Sequence, residues 1–392
     1  MENKSLKLEE LAVKITDGAH HSPKDFKNGF PMLSVKDMRE NGFDLKNCKR
    51  ISEEDFDKLI SSGCKPEIDD ILIAKDGSVL KHIFRVKEEP KYVLLSSIAI
   101  VRPNKEIVEP EFLAYSIKNP VTKELILNNY LGGTGVPRIV LKDFKKIDFD
   151  LPPLPEQKAI ASVLSSLDDK IDLLHQQNQT LEALVETLFR QWFIEEAKED
   201  WEERPLSEIA NFLNGLACQK FPPKDSINRL PVLKIKDLTS GISENSDWAS
   251  TDVKPEYIIK NGDVIFAWSA SLMVKIWNGE DCILNQHLFK VTSEEFPKWF
   301  YYFWCKQHLR EFISIAQSHA TTMGHIKRSD LDEAMVLIPD NDEIEKMTFQ
   351  MNPILDKIQL NNNQINSLSQ LRDTLLPKLM SGEVKVIKLN YE

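Results

Sequence analysis

The sequence has few cysteines, no long apolar run and no excess of basic charge, and each absence excludes a class of protein. Five cysteines without a CxxC pair exclude a zinc ribbon. The longest apolar runs, near residues 92–101 and 264–274, are far shorter than the roughly 20 residues of a membrane helix. The N-terminus shows no secretory signal, and an odd cysteine count without one indicates reduced thiols. We therefore expect a cytoplasmic protein.

The sequence also lacks the motifs of cofactor-dependent catalysis. There is no glycine-rich loop after a strand and no GxxxxGK motif for ATP. The segment LPPLP at 151–155 lacks the Asn or Asp and the aromatic residue of a methyltransferase base-binding loop. Glu67, Asp70 and Lys75 resemble a nuclease carboxylate–lysine set only loosely, and we interpret them as surface charge. His20 and His21 indicate a polar loop rather than a metal site, because adjacent histidines point apart and no acidic partner is suitably spaced.

Acidic charge is concentrated in one segment. The chain has 50 basic and 61 acidic side chains. Residues 1–150 carry 25 of each and residues 204–338 carry 15 basic and 16 acidic side chains, whereas residues 151–203 carry 4 and 12. Two neutral regions therefore flank an acidic one. A neutral domain can still present a basic face, so the charge permits DNA binding without indicating it.

The second half of the chain repeats the first. LEELA at 8–12 returns as LSEIA at 206–210, and PMLSVKDM at 31–38 returns as PVLKIKDL at 231–238. DDILIAKDG at 69–77 matches GDVIFAWSA at 262–270. From residue 112 onward the offset stays at 187, as in TGVPRIVLKDF at 134–144 and TTMGHIKRSDL at 321–331. Blocks that recur in the same order indicate two copies of one domain.

Each half begins with short β-rich runs and ends with helical sequence. The runs include DILIA, YVLLSSIAIV, DVIFAW and ILNQHLFKV, bounded by Gly, Asn, Asp and Pro. Helix-like stretches follow at 111–130 and 295–317, and then a long helix in each copy. The predicted fold class is α+β: two tandem α+β domains, each followed by a long helix.

The long helices show a seven-residue repeat that predicts a coiled coil. Residues 156–193 contain no Gly or Pro, and Pro155 suits the first helical position. Asp340, Asn341 and Asp342 offer N-caps for the second helix, Gly382 a stop, and Pro377 places Leu379 beyond the regular helix. An ordinary amphipathic helix on a globular core is the alternative. The predicted seam residues are Leu164, Leu167, Ile171, Leu174, Asn178, Leu181, Val185, Leu188, Ile354, Ile358, Asn361, Ile365, Leu368 and Leu375.

A two-fold relation between the halves predicts antiparallel helices and one particular register. Centring one helix on the other pairs Asn178 with Asn361, where two buried amides can satisfy each other. The same register places Leu167 against Arg372, whose side chain is long enough to reach Asp168. A slip of one heptad separates the two asparagines, so the pair fixes the register.

Polar side chains in matching loops are the candidates for DNA contact. Arg and Lys pair with guanine, Asn and Gln with adenine, and Ser, Thr and His with either, while Lys and Arg also bind phosphates. In the first half they are Thr16, Asp17, His20, His21, Lys36, Lys75, Ser78, Lys81, Ser96, Ser97, Thr134 and Arg138. In the second half they are Asn214, Gln219, Lys220, Lys236, Ser269, Ser271, Asn285, Gln286, His287, Thr321, Thr322, His325, Lys327 and Arg328. We expect Asn285 and Gln286, placed opposite Ser96 and Ser97 in the repeat, to read bases.

These features resemble the specificity subunits of type I restriction–modification enzymes. LPPLPEQKAIASVLSSLDDKIDLL at 151–174 and LRDTLLPKLMSGEVKV at 371–386 are similar to that family's helical regions, and TDGAHHSP at 16–23 to the start of a target-recognition domain. IPDNDEIEK departs from the family's second helical opening. The resemblance implies recognition domains at 1–150 and 204–338, and helical spacer regions at 151–203 and 339–392, with pseudo-two-fold symmetry.

The resemblance also implies the partners. Each recognition domain would read half of a split double-stranded DNA site, and the chain would bind two modification subunits and the restriction subunits without being an enzyme itself. S-adenosylmethionine, ATP and Mg would bind those partners. The alternatives are a free-standing bipartite DNA-binding regulator and a coiled-coil scaffold. A partner-binding helix needs apolar residues outside its seam, and Phe189 and Phe193 indicate such a patch.

Overall fold

The structure, a computed structural model, describes residues 4–243, 245–318 and 324–386, and these form two compact units. Unit 2 is the continuous stretch 172–367, whereas unit 1 combines residues 1–171 with 368–392. Each long helix therefore contributes one part to each unit. The sequence instead predicted helical regions separate from the recognition domains, with boundaries at residues 150, 203 and 338. These boundaries stay predictions.

Unit 1 contains nine strands and five short helices among its described residues. The strands are β1 (Lys4–Lys7), β2 (Ala12–Asp17), β3 (Phe30–Leu33), β4 (Lys49–Ile51), β5 (Ile71–Ala74), β6 (Ile83–Arg85), β7 (Val93–Leu94), β8 (Ile98–Pro103) and β9 (Asp148–Leu151). The helices are α1 (Leu8–Leu11), α2 (Glu53–Ser61), α3 (Pro110–Lys118), α4 (Pro120–Tyr130) and α5 (Leu141–Phe144). The helix expected at 111–130 is divided at Asn119, because its ψ of 126° is not helical.

Unit 2 begins like unit 1 with a strand, a short helix and a strand, and like unit 1 it ends with a strand that leads into a long helix. Its strands are β10 (Glu202–Pro205), β11 (Asn211–Asn214), β12 (Arg229–Leu233), β13 (Trp248–Ser250), β14 (Ile258–Ile259), β15 (Val264–Ala267), β16 (Met273–Ile276), β17 (Cys282–Leu284), β18 (Leu288–Thr292) and β19 (Met335–Ile338). The long helix α6 (Leu154–Arg190) enters it and continues into a π-helical turn, Gln191–Glu195. The other helices are α7 (Leu206–Ile209), α8 (Asp237–Ser240), α9 (Lys298–Ser318), α10 (Arg328–Glu333) and α11 (Asn341–Ser381).

The sheets of the two units have matching topology, which confirms the internal repeat. Unit 1 has a four-stranded sheet β2-β8-β5-β6, and unit 2 has β11-β18-β15-β16. The second sheet is β4-β3-β7 in unit 1 and β13-β12-β17-β14 in unit 2, with β3–β7 and β12–β17 both parallel. A two-stranded ribbon, β1-β9 or β10-β19, joins the first and last strands. The predicted α+β class is thus observed in each half.

The seam residues of the long helices face inward, as the seven-residue pattern predicts. Every predicted seam position is buried or half-buried. In unit 2, Asn178 contacts Asn361, while Lys198, after α6, pairs with Glu343 at the start of α11. As residue numbers rise along α6 and beyond its end, the residues that they contact on α11 have falling numbers. The two helices therefore run antiparallel in unit 2. The Asp340 carboxylate caps α11 by accepting from the Glu343 amide at 2.8 Å, as predicted.

The predicted asparagine pair is confirmed in unit 2. The Asn361 side-chain amino group donates to Asn178 Oδ1 at 2.9 Å, and Asn361 is fully buried. The Asn178 amino group donates in turn to Asn362 Oδ1 at 2.7 Å. The Asn361 Oδ1 atom is buried without a partner among the described residues. Gln177 Oε1 also accepts from the Asn361 amino group at 3.4 Å, so four side-chain amides interact here, two more than the sequence suggested.

Arg372 reaches Asp168 within unit 1, as the register predicts. Their closest atoms lie 2.7 Å apart, and Arg372 also contacts Glu40 and Asp373. The second Asp168 oxygen accepts from the Tyr115 hydroxyl at 2.6 Å. Burial and the neighbouring Asp168 charge raise the pKa of Tyr115 well above its ordinary value. A buried carboxylate, a cation and a hydroxyl together replace an apolar layer at this level of the seam.

Two expectations about the helices are wrong. Pro377 does not end the regular helix, since α11 continues to Ser381 and Leu379 is only 3% exposed in the core of unit 1. The burial of Leu379 offsets the free-energy cost of the backbone hydrogen bond that Pro377 cannot donate. Phe189 and Phe193 are not an exposed patch, because both are buried against aromatic residues of α9 such as Trp304. The exposed large apolar side chains of α6 and α11 are instead Leu173, Leu184, Phe349, Leu360 and Leu371.

We predict that Asn361→Leu destabilises the chain by about 1–3 kcal/mol, because Asn178 loses one hydrogen-bond partner at a buried position. Urea unfolding followed by circular dichroism measures the difference. Gln179→Leu on the exposed side of α6 is the matched control and should change stability by less than about 0.5 kcal/mol. The double variant Asn178→Leu with Asn361→Leu should recover part of the loss. Equal stability of Asn361→Leu and the natural chain would contradict the buried pair.

Candidate nucleic-acid interface

In each unit one strand run leaves one sheet and enters the other, and the polar candidates gather at that crossing. In unit 1, β7 pairs with β3 and β8 pairs with β2 and β5. In unit 2, β17 pairs with β12 and β18 pairs with β11 and β15. We call the intervening residues the corners: 95–97 in unit 1 and 285–287 in unit 2. The sequence predicted each run but not its division between two sheets.

A glycine lies against each corner. A Cβ atom on Gly18 would approach the Leu94 carbonyl oxygen to 2.1 Å, and one on Gly215 would approach the Asn285 carbonyl oxygen to 2.2 Å. Only glycine permits such a close approach of two backbones. The following backbone then forms isolated bridges to the corners, Ala19 with Leu95 and Leu216 with Asn285. The loops TDGAHHSP and NGLACQK are thereby held against the corners.

The unit 1 corner adjoins a cluster of charged side chains. Lys75 is 7% exposed, and its Nζ atom lies 3.4 Å from Asp17 and 3.1 Å from Asp76. The other Asp17 oxygen contacts His20 Nε2 at 3.1 Å. The expectation that no acidic residue is spaced for these histidines is therefore wrong, because the turn after β2 brings His20 back onto Asp17. Ser97 connects the cluster to the second sheet by accepting from the Val35 amide at 3.2 Å.

The unit 2 corner adjoins aromatic and neutral side chains instead. Trp268 Nε1 donates to Asn214 Oδ1 at 3.2 Å, and its ring centroid lies 5.9 Å from that of His287. Ser269 Oγ lies 3.2 Å from His287 Nδ1. Gln286 Nε2 approaches the other nitrogen of the same imidazole at 3.3 Å.

The strand registers match these two clusters residue by residue. Trp268 takes the place of Lys75, Asn214 of Asp17, and Ser269 of Asp76. The corner bridges show that Asn285 corresponds to Leu95, so Gln286 corresponds to Ser96 and His287 to Ser97. The expected placement of Asn285 and Gln286 opposite Ser96 and Ser97 is wrong by one residue. Trp268 was not among the predicted candidates, although the repeat of DDILIAKDG as GDVIFAWSA already aligned it with Lys75.

A second loop closes over each cluster. In unit 1 Asp76 forms an isolated bridge with Arg138, and in unit 2 Ser269 forms the equivalent bridge with His325. Arg138 and His325 are exposed beside the corner residues. The repeat therefore brings together the segments that the sequence singled out separately.

The remaining candidates are distributed between exposed positions and structural roles. Arg328 donates to the Phe212 carbonyl at 3.2 Å, which ties the start of α10 to β11. Asn285 Oδ1 accepts from the His287 amide at 3.2 Å. Thr321 and Thr322 lie outside the described residues. Thr16 and Ser96 are half-buried. The other exposed candidates are His21, Lys36, Ser78, Lys81, Thr134, Gln219, Lys220, Lys236, Ser271 and Lys327.

Unit 2 also contains a cavity of about 660 Å³ next to its corner. Asn285, Gln286 and His287 line one side, Gln219 and Lys236 lie at other walls, and Trp248 contributes apolar surface. Cys218 lies in the same wall, and burial raises the pKa of its thiol to about 11. The cavity thus combines amides and an imidazole with apolar walls and an unreactive thiol.

The interpretation of Glu67, Asp70 and Lys75 as surface charge is wrong for Asp70 and Lys75, which are buried in two separate ion-pair groups. Asp70 is fully buried and accepts two hydrogen bonds from Arg102 at 2.9 Å, and Glu67 contacts the same guanidinium. Lys75 belongs to the corner cluster. Within residues 4–243, 245–318 and 324–386, no group of three His, Cys, Asp or Glu side chains is placed to hold a metal ion. Nor does any helix in the described part of the chain have the length and apolarity to span a membrane.

Comparison with known proteins identifies the family. The model of the type I restriction modification DNA specificity domain matches twice, at residues 2–183 and 198–370. The chain belongs to this family. Its two matched regions correspond to the two copies seen in the sequence.

Relatives within the family span most of the chain. The MjaVIII specificity subunit of Methanocaldococcus jannaschii is 26% identical over 398 residues, covering 94% of this chain and 89% of the relative. The MjaIX specificity subunit of the same organism is 28% identical and covers 73% and 71%. The crystal structure of the type I S subunit from M. genitalium has a TM-score of 0.58 at 14% identity, covering 97% of this chain and 96% of that one. That likeness shows a shared fold.

We predict that Lys75→Met destabilises the specificity chain by about 3 kcal/mol, because Asp17 and Asp76 would lose the cation between them at a buried position. Thermal unfolding of the purified chain measures the change. Lys81→Met, on the exposed part of the same loop, is the matched control and should shift stability by no more than about 0.5 kcal/mol. A Lys75→Met chain as stable as the control would show that the cluster contributes nothing to folding.

Proposed function

We propose that this specificity chain selects the DNA sequence for a type I restriction–modification complex, with each unit reading one half of a split site. The observation that carries the proposal is the pair of corners. The same backbone arrangement recurs in both units, yet its side chains differ at equivalent positions. A duplicated framework with different polar surfaces suits the reading of two different base sequences.

The chemistry of the two corners supports different readings. Beside the unit 1 corner His20 and Arg138 are exposed, which suits charge-assisted contacts to bases and phosphates, while the buried Asp17 side chain holds His20 in place. The unit 2 corner presents Gln286, His287 and His325, which suits neutral hydrogen bonds to base edges. Lys75 and Ser269 are buried, so they position their neighbours rather than reach DNA directly.

Catalysis then belongs to other subunits of the complex. Modification subunits would bring S-adenosylmethionine and methylate the selected site, and restriction subunits would use ATP and Mg. The long helices would set the length of DNA left unread between the half-sites. The chain alone should then show no methylation of DNA supplied with S-adenosylmethionine, whereas the chain with its modification subunit should methylate one split motif.

Exposed apolar side chains outside the helix seam support docking of two modification subunits rather than a free-standing regulator. Phe349 on α11 is 83% exposed, and Leu360 and Leu184 are about half exposed at 53% and 45%. A bound partner would remove these apolar side chains from water, which favours association. An aromatic anchor contributes a large share of binding free energy when a partner covers it.

We predict that replacing residues 204–338 with the corresponding region of a relative changes one half of the methylated motif and leaves the other half unchanged. Methylome sequencing of a host carrying the chimera and the modification subunit provides the measurement. The reciprocal exchange of residues 1–150 is the matched control and should change the opposite half. A simultaneous change in both halves would contradict reading by separate units.

We also predict that Phe349→Ser weakens capture of the modification subunit by about tenfold or more, because it removes an aromatic anchor. Titration of labelled modification subunit with the purified chain measures the affinity. Phe26→Ser provides the matched control, since Phe26 is 54% exposed and lies in the loop between β2 and β3 of unit 1. Equal affinity of the Phe349→Ser and Phe26→Ser chains for the modification subunit would exclude Phe349 from the docking surface.

A further inference from the structure

We infer that the cavity of unit 2 holds a nucleotide extruded from the DNA duplex, an inference that rests on the proposed function. The cavity lies beside the unit 2 corner and measures about 660 Å³. Small-molecule pockets occupy about 300–1,000 Å³, so a single nucleotide falls within its capacity. The three features that carry the inference are its concave shape, its hydrogen-bonding groups and its rim.

Concavity is the first feature. Side chains that read a base pair in the major groove must protrude into that groove, usually from a helix or a β-ribbon. Gln286 and Gln219 instead line the walls of a cavity. A stacked duplex passes over the mouth of such a cavity, and only a group that has left the stack enters it. An extruded base is the part of DNA that protrudes in this way.

The hydrogen-bonding groups are the second feature. Among the described residues, the Gln219 side-chain amide has no hydrogen-bond partner. The side-chain oxygen of Gln286, Oε1, has none either. Each amide offers a donor and an acceptor side by side, which matches the polar edge of a base. Asn285 Oδ1 is already engaged with the His287 amide at 3.2 Å, so Asn285 shapes the wall instead.

The walls and rim supply the remaining contacts. Pro222, Pro223 and Trp248 provide apolar surface for the faces of a base. The Arg229 guanidinium lies 4.4 Å from the centre of the Trp248 ring and holds that ring in place. Lys234 is neutralised by an ion pair with Asp247, whereas Lys236 has no ion-pair partner among the described residues. Lys236 is therefore available for the phosphate of the extruded nucleotide.

The test uses the full chain without its modification subunit, so that no methyltransferase site can hold a base. The probe is a duplex carrying the methylated motif, in which the complementary base at each position of the second half-site is replaced in turn by an abasic site. Removing the partner base lowers the cost of extrusion. We expect binding to tighten by about tenfold at one position and to weaken or stay unchanged at the others.

Two variants test whether the tighter binding of one abasic duplex depends on the cavity. Gln219→Ala changes an exposed side chain and preserves the fold, and Trp248→Ala removes an apolar wall. Both should lose the position-specific gain, whereas Gln307→Ala, an exposed glutamine on α9, should retain it. Two outcomes overturn the inference but not the proposed function. In the first, the chain binds the intact motif specifically and no abasic duplex binds more tightly. In the second, the tighter binding of one abasic duplex persists in both cavity variants. Binding of the motif no tighter than a scrambled duplex overturns the proposed function and the inference with it.

Discussion

The architecture of each recognition unit depends on one strand run shared between two sheets. Residues 93–103 in unit 1 and 282–292 in unit 2 pair with strands of both sheets, and most of their apolar residues are almost completely buried. The run passes from one sheet to the other over three residues. These residues belong to no strand, and the first of them forms only an isolated bridge. Polar groups at that turn are held by glycine loops on one side and by side-chain hydrogen bonds on the other. The placement of the surface loops follows from that crossing.

The long helices combine apolar packing with a few polar layers, and these layers serve different purposes. Leucine and isoleucine provide burial, whereas Asn178 with Asn361 makes the register unique because a shifted register leaves amides without partners. Asp168 and Arg372 add a charged layer that also reaches Tyr115 of α3. That layer attaches the globular part of unit 1 to its own helical segments. Stability and positional specificity thus come from different residues along the same seam.

Much of the fold followed from the sequence, because its strongest signals are periodic. The repeat offset, the seven-residue seam and the Asn178–Asn361 register all depend on spacing alone, and the structure confirms them. The burial of Phe189 and Phe193 depends on where α9 packs, which no local pattern encodes. The His20–Asp17 contact depends on a turn, and the Asn285 alignment on where a strand changes sheets. The base-reading roles of individual loop residues stay predictions, since they depend on DNA.

The division of the chain also bears on synthesis at the ribosome. Unit 2 is one uninterrupted stretch, so every residue that it needs has emerged once residue 367 is free. Unit 1 begins first but includes Leu376 and Leu379 in its core, and these are among the last described residues of the chain. The N-terminal domain therefore completes its core after the domain that follows it. Loss of the final helical turns would damage the recognition domain encoded at the opposite end of the gene.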